Sequence, residues 1–144
     1  MVIQFANQAD IPVDALISLY ESVGWSAYTN DPHKLTRAIA HSSLVISAWQ
    51  EDELIGLIRC LTDKDTVAYI QDILVKPGFQ GKGVGDELMR RMLANLKGIR
   101  QIVLMTDDGD SSQRLHDWYR KHGFKTFKEW ETIGFAIFTS DCLK

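Results

Sequence analysis

Apolar residues recur along the chain in two spacings, and each spacing names an element. At the start, "VIQFA" alternates as a short strand does. "DIPVDALISLYESVGW" carries Val13, Leu16, Ile17 and Tyr20 at helical spacing, with Asp10 placed to cap the helix. "DPHKLTRAIAHS" repeats the pattern, with Leu35, Ala38 and Ile39 on one side and Asp31 standing before Pro32, a residue suited to the first helical turn. Between these helices Gly24, Trp25, Tyr28 and Asn30 form an aromatic loop, readable either as a lid over a ligand or as a packed connection. "SLVISAWQ", "ELIGLIRCL" and "TVAYIQDILV" then read as three strands separated by the polar turns "EDE" and "TDKD", which predicts an antiparallel meander.

In the second half, "VGDELMRRMLANLKG" places Val84, Leu88, Met92 and Leu96 four apart, an amphipathic helix ended by Gly98. "IRQIVLMTDD" reads as a buried strand and "SSQRLHDWYRKHG" as a helix with Leu115, Trp118 and Tyr119 inward. "FKTF" and "IGFAIF" read as two closing strands. Strands and helices interleaved in this order predict an α/β (mixed α+β) protein with a mixed sheet and helices on both faces. With no internal repeat, low-complexity stretch or linker, residues 1–144 are expected to form a single domain.

Composition narrows the class of partner. The chain is 45% hydrophobic and 24% charged with three prolines, a globular profile, and its net charge of −3 supplies no basic field for nucleic acid or an anionic membrane surface. A small molecule is the expected partner. "MVIQFANQAD" has neither a basic nor an apolar leader region, and no apolar run approaches the roughly 18 residues of a membrane span, so a cytoplasmic location is expected. Cys60 and Cys142 lack neighbouring cysteines, and His33, His41, His116 and His122 are irregularly spaced. Neither a disulfide framework nor a metal site is expected.

"QGKGVG" stands between an apolar strand and the amphipathic helix. A helix N-terminus has unpartnered N–H groups and partial positive charge, and glycine lets an anion approach that backbone. Gly81, Gly83 and Gly85 would supply access, Lys82 a charge and Gln80 a polar anchor, for a phosphate or pyrophosphate. A Walker A loop would need Ser or Thr after Gly81-Lys82, and the Rossmann fingerprint would need glycine where Asp86 stands. A turn that merely reverses the chain is the other reading.

Strand, "QGKGVG", amphipathic helix, strand and "WYRKHGF" together resemble the GCN5-related N-acetyltransferases, whose central motif Gln80, Gly83 and Gly85 match. The resemblance implies a mostly antiparallel, splayed sheet of six to seven strands with acetyl-coenzyme A beside the fourth. It also implies that the backbone of Ile73, Leu74 and Val75 bonds the pantetheine arm. The N–H groups of Gln80, Gly81, Lys82, Gly83, Val84 and Gly85 would hold the pyrophosphate. Ser112 stands seven residues before Tyr119, where the family often has an asparagine that contacts the coenzyme.

The implied reaction moves an acetyl group to a primary amine by direct attack in a ternary complex. It needs a neutral nitrogen, a polarised carbonyl and a proton for the departing thiolate. Tyr119 in "WYRKHGF" matches the family's acid, and its phenol, with an ordinary pKa of about 10, is protonated at neutral pH; a tyrosine that only packs is the other reading. Asp72 interrupts the apolar "YIQDILV", where an unpaired carboxylate would be costly. It is a candidate base, directly or through water, or a carboxylate that fixes a neighbouring loop. Strict alternation sets Asp72 on the face opposite Tyr69, Gln71 and Ile73 unless a bulge shifts the register. Asp107 and Asp108 read as helix-capping residues or as attractants for a cationic amine.

"SVGW", "KLTRAIAHSSLVISAW" and "LIGLIRC" are similar to bacterial relatives of the plant serotonin N-acetyltransferases. Trp25, Tyr28, Trp49, Trp118 and Trp130 would suit an arylalkylamine pocket or equally a core. Amino sugars, polyamines, aminoglycosides and protein amines are further acceptors, and a coenzyme sensor without turnover is the reading from another class. A homodimer is plausible for this family.

Overall fold

The computed structural model describes residues 2–139, and backbone contacts divide the chain into two compact units, one through Leu104 and one from Met105 onward. The first unit holds a five-stranded sheet in sequential order: β1 (Gln4–Asn7), β2 (Leu44–Gln50), β3 (Glu53–Thr62), β4 (Val67–Val75) and β5 (Gln101–Leu104). The first four strands are antiparallel neighbours, and β5 runs parallel to β4. The polar turns behave as their residues dictate. Glu51 takes a positive φ of 52° between β2 and β3. Between β3 and β4, Asp63 Oδ1 accepts the N–H groups of Asp65, Thr66 and Val67, and Oδ2 accepts the Thr66 hydroxyl. These bonds hold its carboxyl well below the usual range.

Helices α1 (Val13–Ser22), α2 (Ser26–Thr29) and α3 (Pro32–Ala40) precede β2, and α4 (Val84–Asn95) makes the crossover from β4 to β5. The two sides of the sheet separate at adjacent β3 residues. Leu57 packs in a cluster with Leu16, Leu19, Tyr20, Leu35, Ile39 and Leu74, while a Cβ on Gly56 would meet Leu88 and Val84 of α4 at 3.1 and 3.2 Å. Neighbouring strand residues face opposite ways, so α1 and α3 cover one face and α4 the other. Apolar stripes drive both layers: Leu16, Leu19 and Tyr20 on α1, and Val84, Leu88, Met89 and Met92 on α4, are all buried.

Among its described residues the second unit holds one regular helix, α5 (Gln113–Lys121), entered from a single 3₁₀ turn at Asp110–Ser112. Gly123 follows α5 at a φ of 98°, and its N–H bonds Arg120 O, a left-handed helix stop that suits glycine.

Several expectations are corrected. Asp31 caps α3 by accepting the Lys34 N–H at 3.1 Å, but Asp10 does not cap α1, whose cap position belongs to Pro12. The sheet has five strands among the described residues, not six or seven, because neither "FKTF" nor "IGFAIF" forms a strand. Around "FKTF" the backbone curls into helical turns: Thr126 N–H and hydroxyl both donate to Glu129 Oε1, and the Glu129 N–H returns to Thr126 Oγ1. That reciprocal capping box draws the local polar groups away from a ladder. "IGFAIF" keeps its alternation, yet a strand also needs a ladder partner, and the described residues give it none. Leu115, expected inward, is 40% exposed, whereas Tyr119 is buried as expected. Cys60 is a free, buried thiol, and Cys142 lies outside the described residues.

Candidate active site

Among the described residues the last part of β4 is paired on one side only. Its ladder with β5 runs from Val67 to Ile70, while its ladder with β3 continues to Val75. Among the described residues the edge from Gln71 to Val75 therefore has no strand partner on the β5 side, and of its backbone groups the Val75 carbonyl is taken by the Gln80 side chain. Ile73, Leu74 and Val75, expected to meet the pantetheine arm, all lie on this open stretch.

That stretch leads into the glycine turn. The Lys76 N–H bonds Ile55 O at 2.8 Å, Pro77–Phe79 form a single 3₁₀ turn, and Gln80 Nε2 donates back to Val75 O at 2.9 Å. The Gln80 side chain thus clamps the turn to the strand end. Gly81 and Gly83 have φ of 76° and 84°, left-handed conformations, and a Cβ on either would meet nothing within 4 Å. The space beside this backbone is open. Gly83 caps α4 and has no side chain to bond the helix N-terminus, and Val84 and Gly85 stand at its positive end. The Lys82 ammonium lies 5.7 Å from the Phe79 ring centroid. Glu87 in the first turn is held by Arg90 and Arg91, which offset its charge. An open strand edge followed by a glycine-capped helix end fits an extended amide-bearing arm that terminates in a diphosphate.

Asp72 sits on the buried side of this stretch. The β3–β4 register shifts between Arg59 and Cys60: Cys60 pairs Ile70 and Arg59 pairs Asp72, so Gln71 is an extra residue in β4. This is the bulge that strict alternation leaves out, and it lets Gln71 and Asp72 reach the same partner. Tyr28 Oη donates to Asp72 Oδ1 at 2.8 Å and accepts from Gln71 Nε2 at 3.1 Å. Asp72 Oδ2 accepts from Arg59 Nε at 2.6 Å and from Tyr20 Oη at 3.0 Å. Arg59 also reaches Ser42 Oγ at 3.3 Å, at the end of α3. The Asp72 residue is 1% exposed, and this buried cluster ties α1, α2, β3 and β4 together.

The charges in the cluster support one another. Burial opposes the Arg59 charge, but the Asp72 carboxylate and its hydrogen bond outweigh that, and the guanidinium pKa is raised. Burial, with Asp72 adding to it, pushes the Tyr28 hydroxyl up to about 12 and the Tyr20 hydroxyl well above its usual range. Both phenols therefore stay protonated donors. The aromatic loop is a packed connection built on them: Tyr20 lies 5.0 Å from Tyr28 and 5.9 Å from Trp25, ring centroid to centroid.

Tyr119 and Ser112 belong to the second unit. Burial raises the Tyr119 hydroxyl above its usual pKa, and a side-chain hydrogen bond with Thr106 works the other way. Its ring is set by Trp118 at 5.1 Å and Phe124 at 6.0 Å. Ser112 stands at the α5 cap position without a side-chain cap bond, and its N–H bonds Gly109 O at 2.9 Å. Gly109 holds the cap position of that 3₁₀ turn, and Asp107 O meets His116 Nε2 at 2.7 Å.

Of the remaining aromatics, Trp49 packs on the α1–α3 core and donates from Nε1 to Ser47 Oγ at 2.8 Å. Trp130 lies 4.9 Å from the Lys125 ammonium. Arg59 and Tyr20 are the site residues that sequence reasoning missed. The available signal was an arginine in "ELIGLIRCL", an otherwise apolar strand next to the one that carries Asp72. Among the described residues no group of His, Cys, Asp and Glu could hold a metal ion, and no helix is long and apolar enough to cross a membrane.

The sequence profile of the acetyltransferase (GNAT) family matches residues 12–124. The chain is 36% identical over 111 residues to an uncharacterized N-acetyltransferase ycf52-like protein of Prochlorococcus marinus, covering 73% of this chain and 61% of that one. It is 30% identical over 127 residues to serotonin N-acetyltransferase 2, chloroplastic, of Oryza sativa subsp. japonica, covering 82% of this chain and 58% of the relative. It thus spans about three fifths of the length of both relatives. A GNAT family acetyltransferase from Streptococcus pneumoniae TIGR4 superposes with a TM-score of 0.82 at 27% identity, over 96% of this chain and 99% of the other. The open β4 edge, the left-handed glycines and the profile agree: the chain belongs to the acetyltransferase (GNAT) family.

Proposed function

We propose that this protein is an acetyl-coenzyme A-dependent N-acetyltransferase acting on a primary amine of a small molecule, by direct attack in a ternary complex. The observation that carries the reading is the run of unpaired β4 edge from Gln71 to Val75 leading into the left-handed glycines before α4. The backbone of Ile73, Leu74 and Val75 bonds the amides of the pantetheine arm as a neighbouring strand would. The N–H groups from Gln80 to Gly85 receive the diphosphate, with the Lys82 charge beside them. Ser112 is carried as a further coenzyme contact. The coenzyme supplies an activated acetyl thioester.

Tyr119 serves as the acid that donates its phenolic proton to the departing sulfur, a role its raised pKa suits at neutral pH. Asp72 is the carboxylate that holds the loop carrying Trp25 and Tyr28 against β4. Its buried oxygens already accept bonds from Arg59, Tyr20 and Tyr28, which favours this role over that of base. The aromatic loop and the similarity to a serotonin N-acetyltransferase support an amine with a flat apolar body as the acceptor.

The experiment is coenzyme A release from acetyl-coenzyme A across arylalkylamines, polyamines, amino sugars and peptides, with Tyr119→Phe alongside. Turnover on one small-amine class, reduced in Tyr119→Phe, supports the proposal; turnover on peptides alone overturns the small-molecule assignment.

A further inference from the structure

The Gln71 amide has one way to face. An ionised carboxylate accepts hydrogen bonds and cannot donate them, so the Tyr28 hydroxyl proton lies on the line to Asp72 Oδ1 at 2.8 Å. The Tyr28 oxygen then turns a lone pair toward Gln71, 3.1 Å away, and only the NH₂ end of the amide can meet it. Gln71 Oε1 is therefore directed away from Tyr28. The bond to Tyr28 is the one the Gln71 side chain makes among the described residues.

Position adds a second constraint. Gln71 is the extra residue of the β4 bulge and the first beyond the β5 ladder, and it is half-buried. It thus stands at the head of the open edge, two residues before Ile73. An oriented carbonyl oxygen at that point can accept from an N–H group.

We propose that Gln71 Oε1 accepts a hydrogen bond from the acceptor amine and so acts as a specificity-determining residue, a role that rests on the acetyl-transfer reading above. The chemistry favours an amide here over a carboxylate. An attacking nitrogen needs its lone pair free, and a carboxylate beside it would stabilise the protonated, unreactive form. A neutral amide oxygen holds and aligns the N–H without that penalty. The relay from Arg59 through Asp72 and Tyr28 keeps the amide from turning over.

Kinetics and direct titration with acetyl-coenzyme A and two probe amines, tryptamine and spermidine, test the assignment. Gln71→Met keeps length and removes the oxygen. The expected result is a rise of about tenfold in KM and dissociation constant for the amine that the wild type uses, with coenzyme affinity unchanged and the melting temperature lowered by no more than a few degrees for the lost bond to Tyr28. Tyr28→Phe, which frees the amide to rotate, should raise the amine KM by a smaller factor. Unchanged amine constants in Gln71→Met overturn this inference alone, as does an equal loss of amine and coenzyme binding, the mark of a structural role. Wild-type protein that binds acetyl-coenzyme A but takes up neither probe amine nor an amino sugar overturns the small-amine reading, and this inference with it.

Discussion

Arg59 Nε and Asp72 Oδ2 lie 2.6 Å apart across the β3–β4 bulge, both residues buried, with the Tyr20 hydroxyl on the same carboxylate oxygen. An ion pair in such surroundings adds little net stability as a pair, but removing one partner strands the other charge. Arg59→Ala is therefore expected to cost about 3–5 kcal/mol in chemical denaturation. Asp72→Asn, which keeps the shape and loses the charge, should fall below that. Activity in Asp72→Asn should drop without any change in the shape of the pH–rate profile. Loss of its acidic limb would instead restore Asp72 as the base.

The two buried phenols set an alkaline limit. Burial, reinforced by Asp72, raises Tyr28 to about 12 and Tyr20 well above 10, while the unfolded chain keeps the ordinary value. The folded state binds more protons than the unfolded one in this window, so its stability must fall as pH rises. The Tyr28 contribution is complete below pH 10 and is lost between pH 10 and about 12, and Tyr20 adds to the decline in the same direction. Denaturation midpoints at a series of pH values should show this decline in the wild type and a shallower one in Tyr28→Phe.

Gly83 caps α4 at a φ of 84° with open space beside it. An alanine there meets no atom of the protein, so the expected folding cost is the backbone strain alone, about 1–2 kcal/mol. On the proposed reading its methyl group would stand where the coenzyme diphosphate approaches the backbone. Calorimetric titration should show acetyl-coenzyme A binding at least tenfold weaker in Gly83→Ala, whatever the acceptor. Unaltered coenzyme affinity would leave the turn a mere chain reversal.

What the sequence disclosed was local. The Asp31 cap, the α1 and α4 stripes and the two polar turns are each written within a few residues, and the structure has them in place. The bulge at Gln71 depends on how two strands pair, which no single strand spells. Arg59 and Asp72 stood as charges in adjoining apolar runs, and only the shifted register shows that they meet. "TFKE" spelled a capping box, but the aromatic alternation of "FKTF" hid it. At the site, the glycine turn was legible because positive φ demands glycine. The open β4 edge was not, since it depends on where β5 stops.

Transfer of the acetyl group is the central claim, and mass spectrometry of the reaction tests it most directly. Protein, acetyl-coenzyme A and the amine panel should yield an acetylated small amine in equal amount to released coenzyme A, with kcat lowered about 100-fold in Tyr119→Phe. Coenzyme bound tightly with no acetylated amine from any class would contradict the account and leave a coenzyme-binding sensor.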